Sequence, residues 1–154
     1  MPQLYPTVEI PQQIFNEATT ESTRTGYKPS VYFDPVTGDF VRGGSNKLQS
    51  ATGIEAWQAW CWKVIQTSRY AHRAYSKNYG VEIEEAFHAP DRATVESILE
   101  RTMTEAIMAD PYQRTNRVEE ITFDWTAPDT VDVHLTIVGM DEATIDVEAT
   151  LKGR

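Results

Sequence analysis

The sequence predicts an α+β fold: three helices gathered in the middle of the chain, packed on one face of a C-terminal three-stranded antiparallel sheet. Two observations carry this. Apolar residues recur at steps of three and four between Ile54 and Ile107, then switch to alternation from Ile121 to Leu151. Helical and strand periods kept in separate stretches mark an α+β architecture and not a βαβ one. The size fits one core, since 154 residues, 40% hydrophobic and with four Trp, seven Tyr and five Phe, suffice for a single compact domain.

Residues 1–30 carry scattered apolar anchors, from Leu4 to Phe15, among Pro, Thr, Gln and Ser, with no sustained period. This reads as an extended N-terminal arm, leaving residues 31–154 as one domain. From Val31 to Arg42, two short β-rich runs flank Asp34-Pro-Val-Thr-Gly-Asp39, where Pro35 presets a turn and Gly38 tolerates positive φ, so a hairpin is expected. Gly43-Gly-Ser-Asn-Lys47 lacks the second spaced glycine and Lys-Ser/Thr of a phosphate loop and reads as a linker.

Thr52-Gly-Ile-Glu55 is a capping box that starts the first helix. Its face runs Ile54, Trp57, Cys61, Val64, Ser68, Ala71 and Tyr75, with Trp60 and Ile65 beside it, and the helix is expected to end near Asn78-Tyr-Gly80. A short amphipathic helix from Val81 to Phe87 follows. Pro90 and Asp91 open a third, with Val95, Ile98, Leu99, Thr102, Ala106 and Ile107 inward and Pro111 as its stop. The strands then alternate through Ile121, Phe123 and Trp125; Val131, Val133, Leu135 and Ile137; and Ile145, Val147, Ala149 and Leu151.

Composition narrows the function. A formal charge of −9 disfavours general nucleic-acid binding, which needs cations to neutralise phosphates. The charge is uneven: Arg42 to Lys77 holds six Lys/Arg against one acid, whereas Glu82 to Glu148 holds four Arg against seventeen acids. Such a dipolar molecule suits stacking against copies or neighbours. No run approaches the roughly 20 apolar residues of a membrane span, and no basic, apolar leader opens the chain, so a soluble protein without a cleaved signal is expected. Cys61 is the sole cysteine, which rules out an internal disulfide and a cysteine metal cluster.

Catalytic patterns are absent from the sequence. His72, His88 and His134 form no metal-spaced pair, and Glu85-x-x-His88 is half of a di-iron motif with no second copy. Glycoside hydrolysis needs paired carboxylates about 5 to 9.5 Å apart in a cleft. Among 23 acids, pairs such as Glu96 and Glu100 arise by chance. No Gly-x-Ser-x-Gly elbow or His-Glu-x-x-His occurs. The expectation is a non-enzymatic protein without metal or cofactor.

Four segments, Gly53-Ile-Glu-Ala-Trp57, Thr67-Ser-Arg69, Tyr75-Ser-Lys-Asn-Tyr-Gly80 and Glu105-Ala-Ile-Met-Ala-Asp-Pro111, occur in the order hairpin, tryptophan helix, Tyr-Gly step, third helix and meander. In this order the chain resembles, over roughly residues 30–152, the sheath-initiator family of contractile phage tails, which includes a baseplate wedge protein historically called lysozyme-like. The resemblance implies a virion structural protein of the tail baseplate, assembled in the host cytoplasm. It implies tail sheath and baseplate wedge proteins as partners, about six copies around the axis, and no membrane or nucleic-acid partner.

In that family the third helix often ends in Glu-Pro-Arg near the wedge contacts. Here Asp110, Pro111 and Tyr112 take those positions; the acid and proline carry over and the arginine does not, unless Arg114 reaches back. Strand exchange with the sheath implies an open edge on the last strand, around Ile145, Val147, Ala149 and Leu151, with Asp141, Glu142, Asp146 and Glu148 as charges guarding it. Two other readings differ in class: a muramidase-like tail enzyme acting on peptidoglycan, and an acidic adaptor for a basic partner.

Overall fold

The computed structural model describes residues 27–153. A pair of short ladders opens it: β1 (Ser30–Val31) pairs with β4 (Ser50–Ala51), and β2 (Phe33–Asp34) pairs with β3 (Asp39–Phe40), all antiparallel. The expected hairpin turn closes as its chemistry requires. Asp34 accepts from the Val36 N–H at 2.9 Å, which holds its carboxyl below the usual range, and Gly38 sits at φ 72°. The segment expected to be a linker is instead a second bonded turn, with the Gly43 N–H donating to Lys47 O at 2.8 Å and Arg42 bridging Leu48.

Helix α1 (Gly53–Gln66) begins at the capping box: Thr52 Oγ1 accepts from the Glu55 N–H, and Glu55 Oε2 accepts from the Thr52 N–H at 2.8 Å. It ends earlier than its apolar stripe suggests. Thr67 turns extended, its hydroxyl donates back to Lys63 O at 2.7 Å, and Thr67 and Arg69 exchange backbone hydrogen bonds with Val81, each 2.8 Å. Beyond Ile65 the stripe consists only of Ser68, Ala71 and Tyr75, too little apolar area to outweigh these tertiary bonds, and Ala71 and Tyr75 are exposed. Arg69 locks the neck of this loop. Its guanidinium donates to Gly80 O and Thr102 O and pairs with Glu82 and Glu105.

Helix α2 (Ile83–Phe87) starts two residues later than expected because Val81 belongs to that bridge. Helix α3 (Arg92–Met108) is capped by Asp91, which accepts from the Thr94 N–H at 2.9 Å. Its buried face holds Val95, Leu99, Thr102, Ala106 and Ile107 as expected, and also Met103.

The C-terminal sheet has the order β5-β6-β7, with β5 (Thr115–Ala127), β6 (Thr130–Gly139) and β7 (Thr144–Lys152) in an antiparallel meander. β5 begins well before Ile121, the first residue of its apolar alternation. The register places Ile121 opposite Leu135 and Val147 opposite Leu135, so the alternating apolar residues share one face. They join Trp57, Leu99, Met103 and Ile107 in one hydrophobic cluster, with α1 touching β7 and α3 touching β5.

Tyr27 belongs to this fold. It is 2% exposed, lies 5.2 Å from the Trp57 ring, and donates to Asp141 Oδ1 at 2.7 Å. Burial, reinforced by that carboxylate, pushes its phenol up to about 12. Gly139 makes room for it, because a Cβ there would overlap the Tyr27 hydroxyl and press on Trp57. The folded unit thus takes in Tyr27 to Ser30, the end of the stretch read as an arm. The rest of that expectation, residues 1–26, lies outside the described residues.

Candidate partner-binding surfaces

The corner after α3 is built around a carboxylate. Pro111 cannot continue the helix, so the chain turns, with Gln113 at φ 52° and its N–H on Asp110 O. The Asp110 side chain, 0% exposed, gathers the donors of that turn: the Tyr112 N–H at 3.2 Å and the Arg114 N–H at 3.0 Å. Arg114 does reach back. Its Nε donates to Oδ2 at 2.7 Å and its NH2 to Oδ1 at 3.0 Å, a bidentate pair. The guanidinium is 6% exposed and lies near the faces of Trp60 and Tyr112.

The arginine missing at Tyr112 is thus supplied two positions later, and the resulting ion pair is internal. Large apolar side chains are exposed around this corner, Tyr112 at 59%, Met108 at 46% and Met140 at 65%, beside an exposed Gln113 and with Lys28 Nζ 5.4 Å over the Tyr112 ring. A Met140 N–H bond to Arg114 O ties the β6–β7 turn to the corner at 3.0 Å. Sequence reasoning named Tyr112 and missed the two methionines. Met140 carried a signal, a large apolar residue inside the turn Gly139-Met-Asp-Glu142.

At the last strand the side chains and the backbone point to different uses. Ile145, Val147, Ala149 and Leu151 are all buried in the core, so none of these side chains is presented to solvent. The backbone edge is a separate matter. The Gly139 N–H donates to Ala143 O, which sets the phase of the β6–β7 ladder. Alternation then turns the N–H and C=O of Thr144, Asp146, Glu148, Thr150 and Lys152 away from β6. Gln58 of α1 takes one of these groups, its Nε2 donating to Asp146 O at 2.8 Å.

Beside this edge runs a groove. Three adjoining hollows of about 500, 490 and 400 Å³ follow one another along β7, the first two sharing Trp62 and Glu148, the last two Gln66 and Thr150. Trp62 supplies its apolar floor, with the Phe33 ring of the hairpin tilted against it at 5.5 Å. The two sheet edges differ. The β6–β7 ladder runs through nine consecutive pairs, whereas the β5–β6 ladder breaks register three times. Bulges twist an edge away from further pairing, so β7 is the regular one.

The histidines His88 and His134 are engaged locally, and the one cysteine is buried. His88 Nδ1 lies 2.6 Å from Glu84 O, and His134 is 3.3 Å from Glu148. Cys61 is on the buried face of α1, and burial pushes its thiol well up, away from the reactive thiolate. Among the described residues, no three or more His, Cys, Asp or Glu gather as metal ligands, and no helix is long and apolar enough to cross a membrane.

Among the described residues the chain is a small α+β unit with a regular strand edge at β7 and exposed apolar side chains near the corner after α3. A comparison with family models matches residues 30–141 to the contractile injection system sheath initiator, and the chain belongs to that family. Its role is therefore structural, within a contractile tail and in contact with the sheath. The match ends before β7. A comparison with curated proteins yields no match.

Proposed function

We propose that this chain starts sheath assembly by accepting an extended segment of the tail sheath protein along the free edge of β7. The observation that carries the reading is the groove: a regular, outward-facing backbone edge lies beside an apolar floor, which is what strand addition needs. The helices back the buried face of the sheet and hold Trp62 beside that edge. The apolar corner of Met108, Tyr112 and Met140 meets the baseplate wedge proteins, with Asp110, Pro111 and Arg114 shaping it from within. About six copies form the ring from which the first sheath layer grows, in a virion baseplate assembled in the host cytoplasm. The protein acts as a scaffold and not as an enzyme.

The test uses co-purification with the tail sheath protein. Thr150→Pro removes an N–H that points away from β6, so the ladder survives while a new strand loses a donor. Thr150→Val keeps the backbone and serves as control, and each variant is checked by circular dichroism and thermal melting. Complex with the wild type and Thr150→Val, lost in folded Thr150→Pro, supports the reading. Failure of the wild type to bind, or retention by Thr150→Pro, refutes it.

A further inference from the structure

From that proposed function, and resting on it, we infer that the segment received by β7 alternates apolar and basic residues. The reason lies in what flanks each position of an added strand. Cross-strand neighbours point to the same face. A residue set beside Val147, Ala149 or Leu151 turns toward the core side, where Trp62 and Phe33 form the floor of the groove. A residue set beside Asp146, Glu148 or Thr150 turns to the open face of the sheet.

That open face is acidic next to the edge. Asp146 and Glu148 stand on β7 itself and Asp132 follows one strand further in, while the one cation of β7 on this face, Lys152, lies 3.9 Å from Asp129. Neighbouring hydroxyls satisfy some of the carboxylate lone pairs: Thr136 donates to Asp146 at 2.9 Å and Thr150 to Asp132 at 2.6 Å. Hydroxyls leave the negative charge in place. His134 lies 3.3 Å from Glu148, whose side chain remains 75% exposed. A Lys or Arg in the added strand completes these carboxylates, while an Asp or Glu is repelled by them. The same acids keep two copies of this edge from pairing with each other, so one charge pattern both admits the partner and rejects self-association.

Gln58 sets where the added ladder begins. It occupies Asp146 O, leaving Glu148, Thr150 and Lys152 as the outward groups open toward the C-terminal end. The first contacts therefore form there, and pairing beyond Asp146 requires Gln58 to swing off.

The experiment measures fluorescence anisotropy of two labelled, end-capped synthetic peptides, one alternating Val with Lys and the other Val with Glu, against the full chain. The Val-Lys peptide should bind about tenfold or more tightly than Val-Glu. Asp146→Lys/Glu148→Lys should reverse the preference, and Thr150→Pro should abolish binding of either peptide. Equal binding of the two peptides overturns the charge rule and leaves strand addition standing. If neither peptide binds, strand addition itself is refuted. Val-Lys binding that persists in Thr150→Pro is adhesion to acidic surface elsewhere and overturns the inference.

Discussion

Replacing Arg114 by Met should be among the most damaging single changes in this protein. It strands the Asp110 carboxylate, 0% exposed, with only the N–H groups of residues 112 and 114 as partners. Removing one member of a buried, hydrogen-bonded ion pair costs about 3–5 kcal/mol, because the desolvation of the other charge is no longer offset. At roughly 2–4 °C per kcal/mol for a chain of this size, the melting temperature should fall by about 6–20 °C. The double variant Asp110→Asn/Arg114→Met removes the stranded charge and keeps a side-chain oxygen for the turn, so it should recover part of the loss, ending about 1–3 kcal/mol below wild type. Urea unfolding followed by tryptophan fluorescence reads both, with an unchanged m-value confirming that the native state is compared throughout. If Arg114→Met costs under about 1 kcal/mol, or the double variant is no more stable than the single one, the account of this corner fails.

Gly139→Ala should destabilise by several kcal/mol, since a Cβ there overlaps the Tyr27 hydroxyl and presses on Trp57; adding Tyr27→Phe should relieve part of the loss, as thermal melts can show. Tyr27 also predicts an alkaline limit. Its folded value is raised from 10.0 to about 12, so its contribution is complete below pH 10.0 and is lost as pH rises through about 12; Tyr27→Phe should flatten this part of a stability-against-pH curve. Glu105 behaves in the opposite sense. Hydrogen bonds from Arg69, then Arg101, hold its carboxyl below 4.5, so its contribution is present above that pH and is lost on acidification; Glu105→Gln should reduce the acid sensitivity of the urea midpoint.

The elements whose signals are local were legible in the sequence. Thr52 and Glu55 bond each other across one turn, Asp91 caps its own helix, and the alternation from Val131 to Leu151 needs only a strand and one buried side. The end of α1 was not legible. It depends on Thr67 and Arg69 meeting Val81, and on Arg69 meeting Thr102, partners that the chain brings together only after folding. β5 was read short because Arg117, Glu119 and Glu120 interrupt the alternation, and its bulges let those charges face solvent.

The candidate surfaces divide the same way. That Arg114 would stand in for an arginine at position 112 was open to sequence reasoning, because four residues separate it from Asp110 and a turn brings such neighbours together. That the pair is buried, leaving Tyr112 and two methionines outside, depends on Trp60 from α1 and Met140 from the β6–β7 turn. No pattern in residues 105–114 contains either. For β7, periodicity identified the apolar residues, but only pairing with β6 tells which amides point outward, and only α1 and the hairpin make a groove of that edge.

The unequal edges of the sheet matter for what it can seed. In a polymer chemist's terms, a unit with two reactive ends is a link and a unit with one is a starter. If a strand adds at the regular edge of β7, the three register breaks along β5 make this sheet monofunctional. Under strand addition, growth leaves in one direction, the far side stays closed to further strands, and the number of chains begun equals the number of starter molecules. A lattice started in this way takes its count and its polarity from the sheet before any sheath subunit arrives.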